Sequence, residues 1–247
     1  MKILICGIGG RMGKAVLTEA IKAGHNVVCG VDAFANTSAF PCPVYKDFEA
    51  VKEIPDCVID FSTHTAVRGL LPFCEKHNIP VVLATTGFDA EEEGIIKEAA
   101  KKIAIFRSGN MSVGVYVLQQ LTKLAAKLLP NANIEIIEQH HNQKIDAPSG
   151  TALMLAESAK NGRDMSLVCG REGLVGKRTD TEIGMHSVRG GTVVGKHDVM
   201  LMMGQEVITL RHEAESRTVF ALGSIRAAEY MVTLSQPGIY NMSDMLK

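Results

Sequence analysis

Met1-Lys2-Ile3-Leu4-Ile5-Cys6-Gly7-Ile8-Gly9-Gly10-Arg11-Met12-Gly13 decides how the chain is read. A short apolar run, Lys2 to Cys6, breaks at once into a glycine cluster, and residues 11–23 then read as a helix ending near Gly24. A buried strand, a tight glycine turn and a helix in that order make a phosphate cradle. Glycine lets the backbone turn sharply and approach a pyrophosphate, and the helix N-terminus offers unpaired N–H groups to the anion. The spacing is not a letter-perfect Gly-x-Gly-x-x-Gly, because the third glycine falls one place late. A second apolar run, Val27–Val31, ends in Asp32, about 20 residues on, where an acidic residue binds adenosine ribose hydroxyls. A plain strand–helix turn with no ligand is the competing reading. Asp32 would repel a 2′-phosphate and Ala33 offers no compensation, so NADH is favoured over NADPH, with dual use left open by Arg11 in the same turn.

Further runs at Cys57–Phe61, Val81–Ala84 and Ile103–Phe106 alternate with helix-like stretches at 64–77 and 89–102. Continuous apolar strands alternating with helices predict a parallel sheet covered on both faces. Segment 33–50, with Pro41 and Pro43, has no clear pattern. Ligands of such sheets bind beyond the carboxyl ends of the strands. That places Asp60, Ser62, Thr63 and Thr85-Thr86-Gly87 as cofactor contacts or helix caps. Ser108-Gly109-Asn110-Met111 would line the nicotinamide end.

After about residue 110 the rhythm changes. Val113–Leu129 reads as a long helix stopped by Pro130, Ile134–Gln139 as a strand, and 151–160 as a helix. Residues 162–182 look like an extended loop, and 183–213 like successive strands, which suggests antiparallel or mixed pairing. Ser216–Leu234 reads as a last helix with Ser216 as N-cap. The expected architecture is α/β: a Rossmann-like parallel-sheet domain, 1–110 completed by 217–247, and an α+β domain with a mixed sheet, 111–216.

Glu138-Gln139-His140-His141-Asn142-Gln143-Lys144-Ile145-Asp146-Ala147-Pro148-Ser149-Gly150-Thr151 is the most unusual stretch. Neighbouring residues at a strand end point to opposite sides, so His140 and His141 suit two roles better than one metal. No metal-ligand spacing is present. An imidazole titrates near ~6.5 and can exchange a proton at physiological pH. Lys144 adds a cation, Ser149-Gly150-Thr151 open a helix N-terminus suited to an anion, and Arg217 could reach an anionic substrate. A polar surface loop with incidental histidines is the alternative. His25, His64, His77, His186, His197 and His212 lack such neighbours and read as structural or surface residues.

The 247 residues carry 26 Lys+Arg against 27 Asp+Glu, and 46% are hydrophobic. A balanced charge argues against a nucleic-acid partner, and the apolar content argues against disorder. No apolar run approaches the ~20 residues that span a bilayer. The six cysteines include no Cys-x-x-Cys pair, and no signal-peptide pattern opens the chain, so reduced thiols in a cytoplasmic protein are expected.

Several segments together resemble the dihydrodipicolinate reductase family. They are Gly10-Arg11-Met12-Gly13 in its cradle, Asp60-Phe61-Ser62, Ala84-Thr85-Thr86-Gly87 and Asn110-Met111-Ser112-Val113-Gly114-Val115. The long run Glu135–Leu153, Gly170-Arg171-Glu172-Gly173, Val188-Arg189 and Val194-Gly195-Lys196-His197 complete the match. The resemblance implies reduction of a cyclic dicarboxylate with NADH or NADPH, in a homotetramer assembled through the second domain. It implies His140 as acid/base and Lys144 as proton donor. His141, Ser149, Gly150, Thr151 and Arg217 would hold the substrate carboxylates. Gly7, Ile8, Gly9, Gly10, Arg11, Met12, Asp32, Ala84, Thr85, Thr86, Ser108, Gly109, Asn110 and Met111 would contact the cofactor. Asn142 and Gln143 stand where many members carry basic residues, and Ala84 replaces a frequent glycine. An aspartate or homoserine dehydrogenase of the same layout and a non-catalytic dinucleotide sensor are the rivals. The His-Lys loop argues against both.

Overall fold

The computed structural model describes residues 1–247, the Thr37 side chain excepted. The chain divides into two compact units, residues 1–112 with 217–247, and residues 113–216.

The first unit begins with β1 (Lys2–Cys6), α1 (Arg11–Lys22), β2 (Asn26–Val31), β3 (Val44–Tyr45) and β4 (Cys57–Asp60). It continues with α2 (Val67–His77), β5 (Val81–Leu83), α3 (Ala90–Ala99) and β6 (Ala104–Arg107). Seven strands make one all-parallel sheet, whose seventh member comes from the end of the chain. Ile3, Leu4 and Ile5 are fully buried, which is what a strand covered on both faces requires. Because the strands are parallel, the turns after β1, β2, β4, β5 and β6 all emerge at one edge of the sheet. Helix ends are locally encoded. Asp89 and Glu92 form a reciprocal capping box on α3, and Asn78 closes α2 in a left-handed conformation.

The second unit contains α4 (Val113–Leu128), β7 (Asn133–His140), α5 (Gly150–Lys160), β8 (Ser166–Cys169), β9 (Glu182–Arg189), β10 (Gly195–Met203) and β11 (Glu206–Ala214). Its sheet runs β11-β10-β7-β9-β8. β7 is antiparallel to β10 and parallel to β9, so the sheet is mixed. Ile134, Ile136, Ile183, Val199 and Leu201 form its core with Leu118 of α4 and Leu155 of α5. Strand β8 corrects the expectation of a loop through 162–182. It is an exposed edge strand paired only with β9, so no burial pattern marks it in the sequence.

The chain then rejoins the first unit with α6 (Thr218–Met231), β12 (Gly238–Tyr240) and α7 (Met242–Met245). Strand β12 pairs with β6, giving the order β12-β6-β5-β4-β1-β2-β3. Arg217, rather than Ser216, occupies the cap position of α6. Strands β3 and β12, of two and three residues, are too short to carry a period in the sequence.

Gly7 and Gly13 are demanded by this fold. Gly7 has φ +77°, and a Cβ there would lie 2.6 Å from the Phe61 carbonyl oxygen. A Cβ on Gly13 would overlap the Gly7 carbonyl oxygen and the Ile8 backbone. Both obstacles are backbone and cannot rotate away. Gly13→Ala is therefore expected to cost more than about 2 kcal/mol of stability, read as a lowered urea midpoint. An unchanged midpoint would mean that the turn relaxes freely.

Candidate functional site

Two constellations carry the expected residues, one in each unit. In the first unit, the Gly7–Gly13 turn leads into α1, with Gly10 as its N-cap. Gly10 N–H closes the turn onto the Gly7 carbonyl at 3.0 Å. Asp32 follows β2, and its carboxylate accepts N–H bonds from Gly9 (2.9 Å), Phe34 (2.9 Å) and Ala35 (3.0 Å). These bonds fix the acidic group beside the glycine turn. A cavity of about 580 Å³ opens there, bounded by Gly7, Asp32, Phe34, Phe61, Ser62 and Thr63. A tight backbone cradle at a helix start, with a pinned carboxylate and a cavity alongside, fits a dinucleotide.

At the same sheet edge, Thr85, Thr86, Ser108 and Gly109 line a second cavity of about 350 Å³ with Phe88 and Arg107. Ala84 N–H is tied to the Asp60 carbonyl at 3.0 Å. Ser108 Oγ donates to the Asn110 carbonyl at 2.6 Å, and Asn110 Oδ1 accepts from Ser112 N–H at 2.8 Å. These bonds shape the turn that carries Asn110 and buried Met111. Asp60 faces inward and accepts from the Ser62 hydroxyl at 2.5 Å. Burial raises its pKa against the opposing hydrogen bonds of Ser62, Thr85 and Cys6. Of that group, Ser62 and Thr63 line the first cavity, whereas Asp60 shapes the turn.

In the second unit, period-two alternation on β7 places Ile134, Ile136, Glu138 and His140 on one face. The first two are core. The last two carry polarity to the carboxyl end of the strand. Register sets Glu138 opposite Ser187 and His197, and His140 opposite Arg189. His140 Nδ1 lies 2.5 Å from Glu138 Oε2. Arg189 grips the same carboxylate with both Nη atoms, at 2.8 and 2.7 Å, and Ser149 N–H donates to it at 3.2 Å. Glu138 has 0% exposure. Burial alone would raise its pKa, but the bonds from Arg189, Ser187 and His140 outweigh that and hold it at about 2.

The loop after β7 is stitched at several points. His141 N–H donates to the Val193 carbonyl at 2.7 Å, and Gly190 N–H to the His140 carbonyl at 2.9 Å. Arg189 Nη2 donates to the Asp146 carbonyl at 2.8 Å. Lys144 Nζ pairs with Asp146 Oδ1 at 2.8 Å. Ser149 Oγ caps α5 by accepting from Ala152 N–H and lies 3.1 Å from His197 Nε2. Its hydroxyl is thus engaged internally. The amides of Gly150 and Thr151 open α5.

His197 corrects its reading as an isolated histidine. Its ring stands edge-on to His140, with centroids 5.2 Å apart. Burial, and then the charge of His140, push its pKa down to about 4. His140 is lowered too. Burial is the leading cause, Glu138 opposes it, and Lys144 and Arg189 add to it. Sequence reasoning also missed the roles of Glu138 and Arg189. A Glu two residues before a His on one strand face was the available signal for Glu138. Arg189 gave none, since it lies 51 residues from its partner. Arg217 belongs to the first unit. Among the described residues, no group of three His, Cys, Asp or Glu is placed to hold a metal ion, and no helix is long and apolar enough to cross a membrane.

Comparison with known proteins identifies the family. Residues 1–111 match the family model "Dihydrodipicolinate reductase, N-terminus", and residues 114–246 match its C-terminal counterpart. The 4-hydroxy-tetrahydrodipicolinate reductase of Caldanaerobacter subterraneus is 47% identical across 100% of this chain and 98% of its own. That of Clostridium botulinum is 42% identical with the same coverage. A dipicolinate-bound dihydrodipicolinate reductase from Paenisporosarcina superposes with a TM-score of 0.81 at 26% identity, over 98% of this chain and 97% of that one. A diaminopimelate dehydrogenase of Corynebacterium glutamicum, at a TM-score of 0.56 and 14% identity, shares the fold alone. The chain belongs to the dihydrodipicolinate reductase family, pyridine-nucleotide-dependent oxidoreductases that reduce 4-hydroxy-tetrahydrodipicolinate in lysine and diaminopimelate biosynthesis.

Proposed function

We propose that the strand-end cluster of His140 and Lys144 is where the substrate is protonated and its charge offset, and that the Gly7–Gly13 turn with Asp32 holds the nicotinamide nucleotide. The observation that carries this reading is the clamped loop 141–149. It brings an acid–base imidazole, an ammonium and the start of α5 into one small region, where Lys144 acts electrostatically on His140.

The substrate is a conjugated ring imine with two carboxylates. The cofactor, when bound, supplies the hydride. Negative charge then grows at the far end of the conjugated system, and His140 delivers a proton there from Nε2. Lys144 Nζ, His141 and the amides of Gly150 and Thr151 take the carboxylates. Burial and the neighbouring cations keep His140 deprotonated more readily than a free imidazole. A bound dianion reverses part of that shift, so substrate binding primes the acid.

Asp32 favours NADH, because a 2′-phosphate would meet a carboxylate already fixed by three backbone N–H bonds. Steady-state kinetics with both cofactors on enzymatically generated substrate are expected to give the higher kcat/KM with NADH. A strong NADPH preference would overturn the assignment of Asp32. The homotetramer reading is supported by the sheet face opposite the core of the second unit. There exposed Val188 and Val207 stand among the charged side chains of Glu135, Asp198 and Arg211, a mixed surface of the kind that meets further copies.

A further inference from the structure

We propose that Glu138 is a positioning residue for the reduction: gripped by Arg189, its buried carboxylate holds the Nδ1–H of His140, so that Nε2 alone exchanges a proton with the substrate. This rests on the reading of His140 as the acid–base group and deepens it.

A carboxylate without solvent exposure must be surrounded by donors. Glu138 has the Arg189 fork, Ser149 N–H and His140 Nδ1 around it. Held well below the usual carboxylate range, it stays ionised and can only accept hydrogen bonds. The 2.5 Å contact therefore requires a proton on His140 Nδ1 in both charge states of the ring. Neutral His140 is the Nδ1–H tautomer, and its Nε2 is the atom left to take or give a proton.

The surroundings leave that atom open. Nε2 makes no hydrogen bond among the described residues. A Cβ at position 195 would sit 3.2 Å from Nε2, so Gly195 keeps the approach clear. The charged and titratable groups around His140 are Glu138 on its own strand, Arg189 on β9, Lys144 with its partner Asp146 in the loop, and His197 on β10, backed by His212 on β11. Buried His197 is neutral at physiological pH and does not compete for the Glu138 charge. Arg189 and Lys144 lower the imidazole pKa, and Glu138 is the group that raises it.

Glu138 also has a structural task. It fixes Ser149 N–H directly and, through Arg189, the Asp146 carbonyl, which anchors the loop 141–149. The test must separate the two roles. Imidazole nitrogen NMR on the wild-type enzyme, at a pH where His140 is neutral, is expected to find the proton on Nδ1. A proton on Nε2 would overturn the proposal, and no variant has to fold for that result. In Glu138→Gln, kcat is expected to fall about 10²-fold, with the substrate KM changed less than about threefold. Loss of the carboxylate charge lowers the His140 pKa, so the acid form disappears earlier as pH rises. The basic limb of the kcat/KM profile should move about one pH unit lower. A purely structural role predicts instead a raised KM and lower thermal stability with that limb unmoved. If Glu138→Gln keeps wild-type kinetics while His140→Ala is inactive, this inference fails alone. Wild-type turnover in His140→Ala would remove the reading beneath it.

Discussion

Replacing His140 with alanine should slow turnover by about 10²–10⁴-fold while NADH binding survives, because a positioned general acid is worth that much to a proton-dependent hydride transfer. The two effects separate for a structural reason. The Gly7–Gly13 turn, Asp32 and the cavities beside them are built entirely from the first unit, whereas His140 ends β7 in the second. The fold should tolerate the change. The His140 side chain, 11% exposed, ends the strand, and the core residues on the same face, Ile134 and Ile136, are untouched. Loss of the ring leaves Glu138 with Arg189 and Ser149 N–H as donors, so no buried charge is orphaned. Steady-state kinetics give the turnover, and titration of NADH fluorescence gives the binding. Turnover within a few-fold of wild type would refute the assignment of His140 as the acid. Loss of NADH binding would refute the expected separation of the two effects.

Lys144→Ala should damage both turnover and affinity for dicarboxylates. Without ligand, Lys144 Nζ is paired with Asp146 Oδ1, a contact at the rim in which the Asp146 side chain is 55% exposed. Such a pair contributes about 0–1 kcal/mol, so exchanging it for a substrate carboxylate costs little. A charge-assisted bond to that carboxylate, away from water, is stronger. The dissociation constant of pyridine-2,6-dicarboxylate is expected to rise about tenfold or more, equivalent to about 1.4 kcal/mol. The kcat should fall about 10²-fold, since the cation also offsets charge that grows during reaction. Isothermal titration with the inhibitor measures the first effect independently of chemistry. An unchanged dissociation constant would mean that Lys144 is not the carboxylate partner. Thermal stability should remain near wild type, because Asp146, the partner left behind, already reaches water.

These two variants probe residues that stand out in the sequence, whereas their support does not. His140, His141, Lys144 and Ser149-Gly150-Thr151 lie within 12 residues, so their shared loop is visible on the page. Glu138 sits in the same stretch, but nothing local says that it is buried or that it faces His140. Arg189 and His197 become neighbours only when β9 and β10 close on either side of β7. His197 in particular has no local neighbour that marks it, because its partners Ser149 and His140 are 48 and 57 residues away in the chain. The elements followed the same rule. Fully buried strands such as β1 and β4 announce themselves as apolar runs, and α3 carries its capping box in Asp89 and Glu92. Strand β8, solvated at the sheet edge, does not.

Local chemistry alone accounts for the strand–turn–helix cradle, the alternation of apolar strands and helices, and the residue types of the His140–Thr151 stretch. Each depends on contacts within a few residues: the φ and bulk that a tight turn permits, burial of a strand on both faces, and the chemistry of adjacent side chains. Which carboxylate holds which imidazole nitrogen, and which arginine keeps that carboxylate ionised, depend instead on contacts between distant strands. Those choices are set by strand register. A slip of one residue would turn Glu138 and His140 to the opposite face of the sheet, and the packing of the whole second core, from Ile134 to Leu201, selects against it.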